Sequence, residues 1–218
     1  MRIANVNGRL TVVNGEGGID VETWSHGRFG SDPQAVFAEW EEFRHWVETT
    51  SPETGASAPI PDAAIGPPVP RPVQVFGVAL NYRQHAVELG YGVPEFPSTF
   101  TKFPSCIAPP NGDIKLPSSQ VDWEVEVVVV IGRRAHHVAA GDAWSYVAGL
   151  TIGQDLSERD VQFRPPLPQF SLAKSYPGFG PIGPVVVTAD EFQDPDDLEL
   201  TCALNGELVQ RSRTSDLI

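Results

Sequence analysis

Cysteine is scarce in this chain: two in 218 residues, Cys106 and Cys202, far apart and in no metal-type pair. Reduced structural thiols are the expectation, and a disulfide scaffold is excluded. Basic residues are also few, with 15 Lys and Arg against 28 Asp and Glu and a net charge of −13. Phosphate backbones and anionic membranes are poor partners for such a surface. No long apolar run occurs; Val127–Ile131, the longest in mid-chain, is far too short to span a bilayer. The opening lacks the charged-apolar-small order of a secretory leader, so the cytoplasm is the default address. Gly-x-Ser-x-Gly, His-Glu-x-x-His and phosphate-loop sequences are missing too, which removes support for those enzyme classes. Gly178-Phe-Gly-Pro-Ile-Gly183 does match Gly-x-Gly-x-x-Gly, but prolines surround it and Val185-Val186-Val187 follows as a strand. That dinucleotide motif needs a strand before it and a helix after it, so a turn is predicted.

Glycine and proline, by contrast, are plentiful: 20 and 21 residues, about 19% of the chain, against roughly 12% in an average protein. Frequent turns and short strands follow. Arg2 to Thr23 alternates apolar pieces with Asn7-Gly8 and the Asn14–Gly18 turn, predicting a small hairpin sheet. Ser31-Asp32-Pro33 caps a predicted amphipathic helix over 33–48, carrying Val36, Phe37, Trp40, Phe43, Trp46 and Val47. A Pro-rich stretch over 50–72 predicts a linker, dividing a small N-terminal domain (1–70) from a second domain (71–218). Beyond it, strands are predicted at 73–80, 121–131, 147–152 and 184–188 and helices at 81–89 and 155–163. A hairpin is predicted over 198–210, turning at Asn205-Gly206. The fold class is therefore β-rich α+β with short helices.

The most informative stretch is Asp122-Trp-Glu124-Val-Glu126. Two positions apart on a strand, both carboxylates point to one face, which continues as Val128 and Val130. Ionised carboxylates beside a core repel each other unless a cation sits between them. Taken alone, the pair reads better as a solvated strand end. Asp155, at a strand-to-helix junction, supplies a third carboxylate, or else a simple N-cap. Three carboxylates suit Mg²⁺, Mn²⁺ or Ca²⁺ and suit zinc less well. His85 and Glu88, three apart on a helix, can touch, and a carboxylate raises the basicity of its imidazole partner for general-base work. Lys174 sits in an apolar setting and is one of only three lysines, at 102, 115 and 174. Arg159 and Gln162 share a helix face from which they can bind a substrate anion or carbonyl.

In order, these pieces resemble the fumarylacetoacetate hydrolase superfamily. The matching stretches run Gly77–Glu88, Asp122–Val127, Gln154–Gln162 and Lys174–Pro184, then Asn205-Gly206-Glu207 with Gln210, and finally Thr214–Ile218. The likeness covers roughly residues 70–218, and its order and spacing make it specific. It implies a mixed β-sandwich roll and a homodimer. It implies a divalent metal on Glu124, Glu126 and Asp155, a water-activating dyad of His85 and Glu88, and Lys174 as the active-site lysine with Arg159 and Gln162 nearby. It also implies a small anionic 2-oxo acid as substrate. The leading expectation is a hydrolase cleaving a C–C bond in an acylpyruvate-like β-diketo acid through an enolate. Oxaloacetate-type decarboxylation or keto–enol isomerisation on the same enolate is the alternative, and a non-catalytic binding role is the third. Family members continue past the Thr214–Ile218 segment. The expectation is therefore that further residues or a partner subunit cover Leu200, Cys202, Leu204 and Leu208 of the last hairpin.

Overall fold

The structure is a computed structural model that describes residues 1–15, 17–53, 56–88 and 90–218. Its main elements, in chain order, are β1 (Arg2–Val6), β2 (Arg9–Asn14), β3 (Gly17–Asp20), α1 (Trp40–Thr49), β4 (Val75–Ala79), α2 (Arg83–Glu88) and β5 (Ser98–Lys102). After these come β6 (Val125–Ile131), β7 (Val147–Gln154), α3 (Arg159–Gln162), β8 (Gly180–Val187), β9 (Glu199–Leu204) and β10 (Glu207–Arg213). The architecture is β-rich with short helices. Among the described residues no helix is long and apolar enough to cross a membrane.

The principal sheet runs β6-β7-β8-β1-β2-β3 with every pair antiparallel; short strands add to it antiparallel at Ala58–Pro59 and Ile65–Gly66 and parallel, along β8, at Ile107–Ala108. Two hairpins, β4–β5 and β9–β10, form separate ladders. Strand β1 pairs with β8 through Arg2↔Val187 and Ile3↔Val186. The first twenty residues and the last strand before the final hairpin are thus joined in one sheet. The Pro-rich stretch, expected to divide the chain, connects strands of that sheet: Ile65–Gly66 pairs back onto β1.

Turn chemistry follows the local sequence closely. Asn7 and Gly8 have φ of 53° and 80°, and Asn205 and Gly206 have φ of 53° and 85°. Both pairs of positive φ values are those of a type I′ hairpin, where Asn-Gly is favoured. Glu16, within the predicted Asn14–Gly18 turn, and Leu89, at the predicted end of the 81–89 helix, lie outside the described residues.

Four predicted spans need correction. The helix expected over 33–48 is a tight 3₁₀ turn at Ala35–Ala38 followed by α1, broken at Glu39 with φ −130° and ψ 32°. The break lets Val36 and the Trp40, Phe43 and Trp46 stripe enter one core with Ile3, Leu10 and Val186. The strand expected over 121–131 is two strands with different partners. Val121–Asp122 pairs with Ser157–Glu158, whereas β6 pairs with β7. Glu124 therefore sits in the break just before β6, not within one continuous strand. The 155–163 helix shrinks to α3, and its N-cap is Glu158, whose carboxylate accepts from Val161 N at 2.6 Å. Asp155 is thereby released from any capping role. Finally, Gly180–Gly183 is not a turn but the start of β8.

In the final hairpin Leu200 is buried and Cys202 half-buried, while Leu204 and Leu208 are exposed. Both cysteines are free thiols, as expected.

Candidate active site

The β6–β7 register sets Val125 opposite Gln154 and Glu126 opposite Gly153. One further backbone bond, Asp155 N to Glu124 O at 2.8 Å, extends the pairing past the end of the ladder. Glu124 and Asp155 thus become neighbours where the two strands leave the sheet. On β6 the buried side is the one carrying Val130, while Val129 and Ile131 face out, so Glu126 lies on the core side.

Between Glu124 and Asp155 stands the ammonium of Lys174, which is only 2% exposed. Its Nζ donates to Glu124 Oε2, Asp155 Oδ2 and Ser157 Oγ, each at 2.7 Å. Lys174 immediately follows the single helical turn Phe170–Ala173. Its side chain passes beside the ring of Phe100, whose centroid lies 5.2 Å from Nζ. That ring takes the space a side chain would need opposite it: a Cβ on Gly77 would fall 2.2 Å from the Phe100 ring. Beyond Phe100 opens a cavity of about 450 Å³ lined by Ala79, Ser98, Thr101, Pro168 and Phe170 among others.

Lys102, at the end of β5 and 6% exposed, is the second buried ammonium. It donates to Asp155 Oδ1 at 2.5 Å, to the carbonyl of Phe179 at 3.1 Å and to the carbonyl of Lys174. Arg159 completes the cluster. Its Nη1 donates to Glu124 Oε1 and Gln162 Oε1, both at 2.7 Å, and its Nη2 to Asp122 Oδ2 at 2.7 Å. Arg159 and Gln162 are therefore beside the carboxylates, and their hydrogen bonds are made to one another and to Glu124 and Asp122.

Glu126 differs from the other two carboxylates. Among the described residues its side chain has no hydrogen-bond partner. Its pKa is pushed up to about 8, first by burial and then by the charges of Glu124 and Asp155, with Lys174 and Lys102 opposing. The cluster is short of positive charge at that point. Among the described residues no three His, Cys, Asp or Glu side chains are gathered into a cage as they stand. The physical reason is visible: Lys174 occupies the space between Glu124 and Asp155, and Arg159 takes the second oxygen of Glu124. The donor set, oxygen-only and with one uncompensated carboxylate, nevertheless fits a hard divalent cation.

The dyad stands apart from this cluster in character. His85 Nδ1 and Glu88 Oε2 are 3.7 Å apart, beyond hydrogen-bond range, with side chains 54% and 62% exposed. Helix α2 is tethered by Gln84 N donating to Asp216 Oδ2 at 3.0 Å and by Ile218 N donating to Asn81 O at 3.0 Å. Just before it, the Tyr82 hydroxyl is buried and, among the described residues, has no hydrogen-bond partner. Burial, reinforced by Glu126 and Asp216, holds its pKa well above the usual phenol value.

Sequence reasoning placed Glu124, Glu126, Asp155, Lys174, Arg159 and Gln162 in one neighbourhood. It missed Lys102, Ser157 and Tyr82. The scarcity of lysine was a usable signal for Lys102, since a lone lysine ending a short strand is unlike a solvated face. Ser157 and Tyr82 carry no such mark.

Comparison with known proteins gives one consistent answer. Residues 74–218 match the family model described as fumarylacetoacetate (FAA) hydrolase, C-terminal. The mitochondrial oxaloacetate tautomerase Fahd2a of Rattus norvegicus is 45% identical over 153 residues, covering 69% of this chain and 49% of the relative. The human FAHD2A oxaloacetate tautomerase is 43% identical over the same length. The chain spans about half the length of the curated relatives it matches. A crystal structure from Mycobacterium smegmatis superposes with a TM-score of 0.93 at 52% identity, covering 100% of this chain and 77% of that one. A maleylpyruvate hydrolase from Sphingobium sp. SYK-6, solved with manganese(II) and pyruvate, gives 0.79 at 27% identity, covering 100% and 78%.

Proposed function

The chain belongs to the fumarylacetoacetate hydrolase family, and on that premise we propose that it interconverts the keto and enol forms of a small oxaloacetate-type 2-oxo diacid. The observation that carries the proposal is the Lys174 ammonium, buried and held at 2.7 Å from Glu124, Asp155 and Ser157. Tautomerisation needs a proton removed from C3, negative charge held on the 2-oxo oxygen, and a proton returned. Lys174 stands beside the carboxylate cluster, where turning one of its three N–H donors from Glu124, Asp155 or Ser157 to the 2-oxo oxygen would stabilise that charge. A divalent cation, Mg²⁺ or Mn²⁺, held by Glu124, Glu126 and Asp155 would supply Lewis-acid stabilisation of the same charge. The partnerless Glu126 supports that assignment, as does the manganese in the Sphingobium hydrolase. Arg159, itself held by Gln162, orients Glu124, and the pair would turn to meet a substrate carboxylate. His85 and Glu88 are proposed as the proton acceptor at C3. They stand exposed and 3.7 Å apart, and the proposal has α2 order over the cluster when substrate is bound.

Two curated tautomerase relatives favour isomerisation over bond cleavage. Hydrolysis of an acylpyruvate-like substrate is the second reading, favoured by the likeness to the maleylpyruvate hydrolase. Pairing into a homodimer belongs to the same proposal, supported by the exposed Val129, Ile131 and Ile152 on the outer side of β6 and β7.

One assay separates these reactions. Enol oxaloacetate is mixed with the protein and Mg²⁺ or Mn²⁺, following enol absorbance and pyruvate release together, with acetylpyruvate run in parallel. Accelerated enol loss without pyruvate is the expected result. Pyruvate from acetylpyruvate, with enol loss at the uncatalysed rate, would replace the tautomerase by the hydrolase.

A further inference from the structure

We infer that Lys102 is a positioning residue that sets the carboxylate of Asp155 and the backbone carrying Lys174 in one step. The inference rests on the proposed roles of Asp155 and Lys174 and adds a residue to them.

An ammonium has three N–H donors. Those of Lys102 are matched by three acceptors: Asp155 Oδ1 at 2.5 Å, the Phe179 carbonyl at 3.1 Å and the Lys174 carbonyl. Lys174 is matched three for three as well, but by side chains alone, whereas two of the acceptors of Lys102 are backbone carbonyls, so Lys102 holds the chain itself. The two lysines divide Asp155 between them, with Oδ1 on Lys102 and Oδ2 on Lys174. Rotation of that carboxylate would break both contacts at once. The next residue reinforces the hold, because Phe103 N donates to Ser175 Oγ at 2.9 Å. The end of β5 thus grips 174–175 at two points, by backbone and by side chain. The carbonyl of Phe179 also accepts from Leu156 N at 3.2 Å, so the same ammonium ties the residue after Asp155 into the network. A surface ion pair would contribute little. This one is buried at both ends, with side chains 8% and 12% exposed, so its loss leaves Asp155 held by Lys174 alone.

Lys102→Met keeps the apolar stem and removes the charge and all three donors. The full chain carrying it should lose roughly 10–100-fold in kcat on enol oxaloacetate, with KM little changed. Its Mn²⁺ affinity, read by titration calorimetry, should hold or tighten, because a positive charge next to Asp155 has gone. That split is the signature of positioning; a merely structural lysine would lower kcat and Mn²⁺ binding together. Unchanged kcat, or parallel loss of both, overturns the inference. If Lys102→Met does not fold, Lys102→Gln keeps two donors without the charge and should show the same split at smaller amplitude. Failure of both to fold would assign Lys102 to stability alone and also overturn it. Asp155→Asn and Lys174→Gln keep the two ideas apart. If they abolish turnover while Lys102→Met does not, only the Lys102 inference falls. If they leave turnover intact, the functional proposal falls.

Discussion

Lys174→Gln is expected to lower kcat by about 10²–10³-fold, the usual cost of removing a donor aimed at developing negative charge. The same change should destabilise the fold by roughly 3–5 kcal/mol, because Glu124 and Asp155 then face each other without the ammonium that separates them. Lys102 and Arg159 retain one contact each to these carboxylates, so the fold should survive in weakened form. Urea unfolding and steady-state kinetics on one preparation measure both effects. Wild-type turnover in a folded Lys174→Gln protein would remove the lysine from the chemistry.

The second large effect is a pH dependence centred on Glu126. An ordinary glutamate titrates near 4.5, but here burial first, and then Glu124 and Asp155, raise the value to about 8. Between those limits the folded chain keeps a proton that the unfolded chain has released. Stability must then fall as pH rises through this window, by a few kcal/mol at most over its whole width. Below about 4.5 both states are protonated and the penalty vanishes. Other carboxylates push the other way. Asp20, held down to about 2 chiefly by its hydrogen bond from Arg9, favours the fold as pH rises through the acid range. Comparison with Glu126→Gln removes such terms: thermal melts in EDTA from pH 5 to 8.5 should show wild type losing ground to the variant as pH rises. Added Mn²⁺ should cancel that loss, since the cation then favours the ionised carboxylate. Parallel melting curves for the two proteins would show that Glu126 is not the strained group.

Local features were legible in the sequence where local chemistry decides them. Asn7-Gly8 and Asn205-Gly206 form the turns their residues require, and Trp40, Phe43 and Trp46 form a helix face. The failures arise where pairing is non-local. Nothing in the run from Val121 to Ile131 says that its first two residues pair with Ser157–Glu158 and the rest with β7. Gly180–Gly183 looks like punctuation, yet its neighbours β7 and Ile107–Ala108 make it a strand. The candidate site was legible as a set of residue types, because carboxylates next to apolar strand residues carry an electrostatic cost visible in any sequence. Its wiring was not. Residues 102, 155, 174 and 179 meet at one nitrogen, and sequence spacing says nothing about such a meeting.

The central claim, that Glu124, Glu126 and Asp155 form one cation site governed by Lys174, is tested most directly by titrating Mn²⁺ into the metal-free chain under calorimetry. The account predicts one equivalent per chain, weakened at least tenfold by Asp155→Asn and by Glu126→Gln alike. Binding that both substitutions leave unchanged, or no binding by the folded wild-type chain, would contradict it.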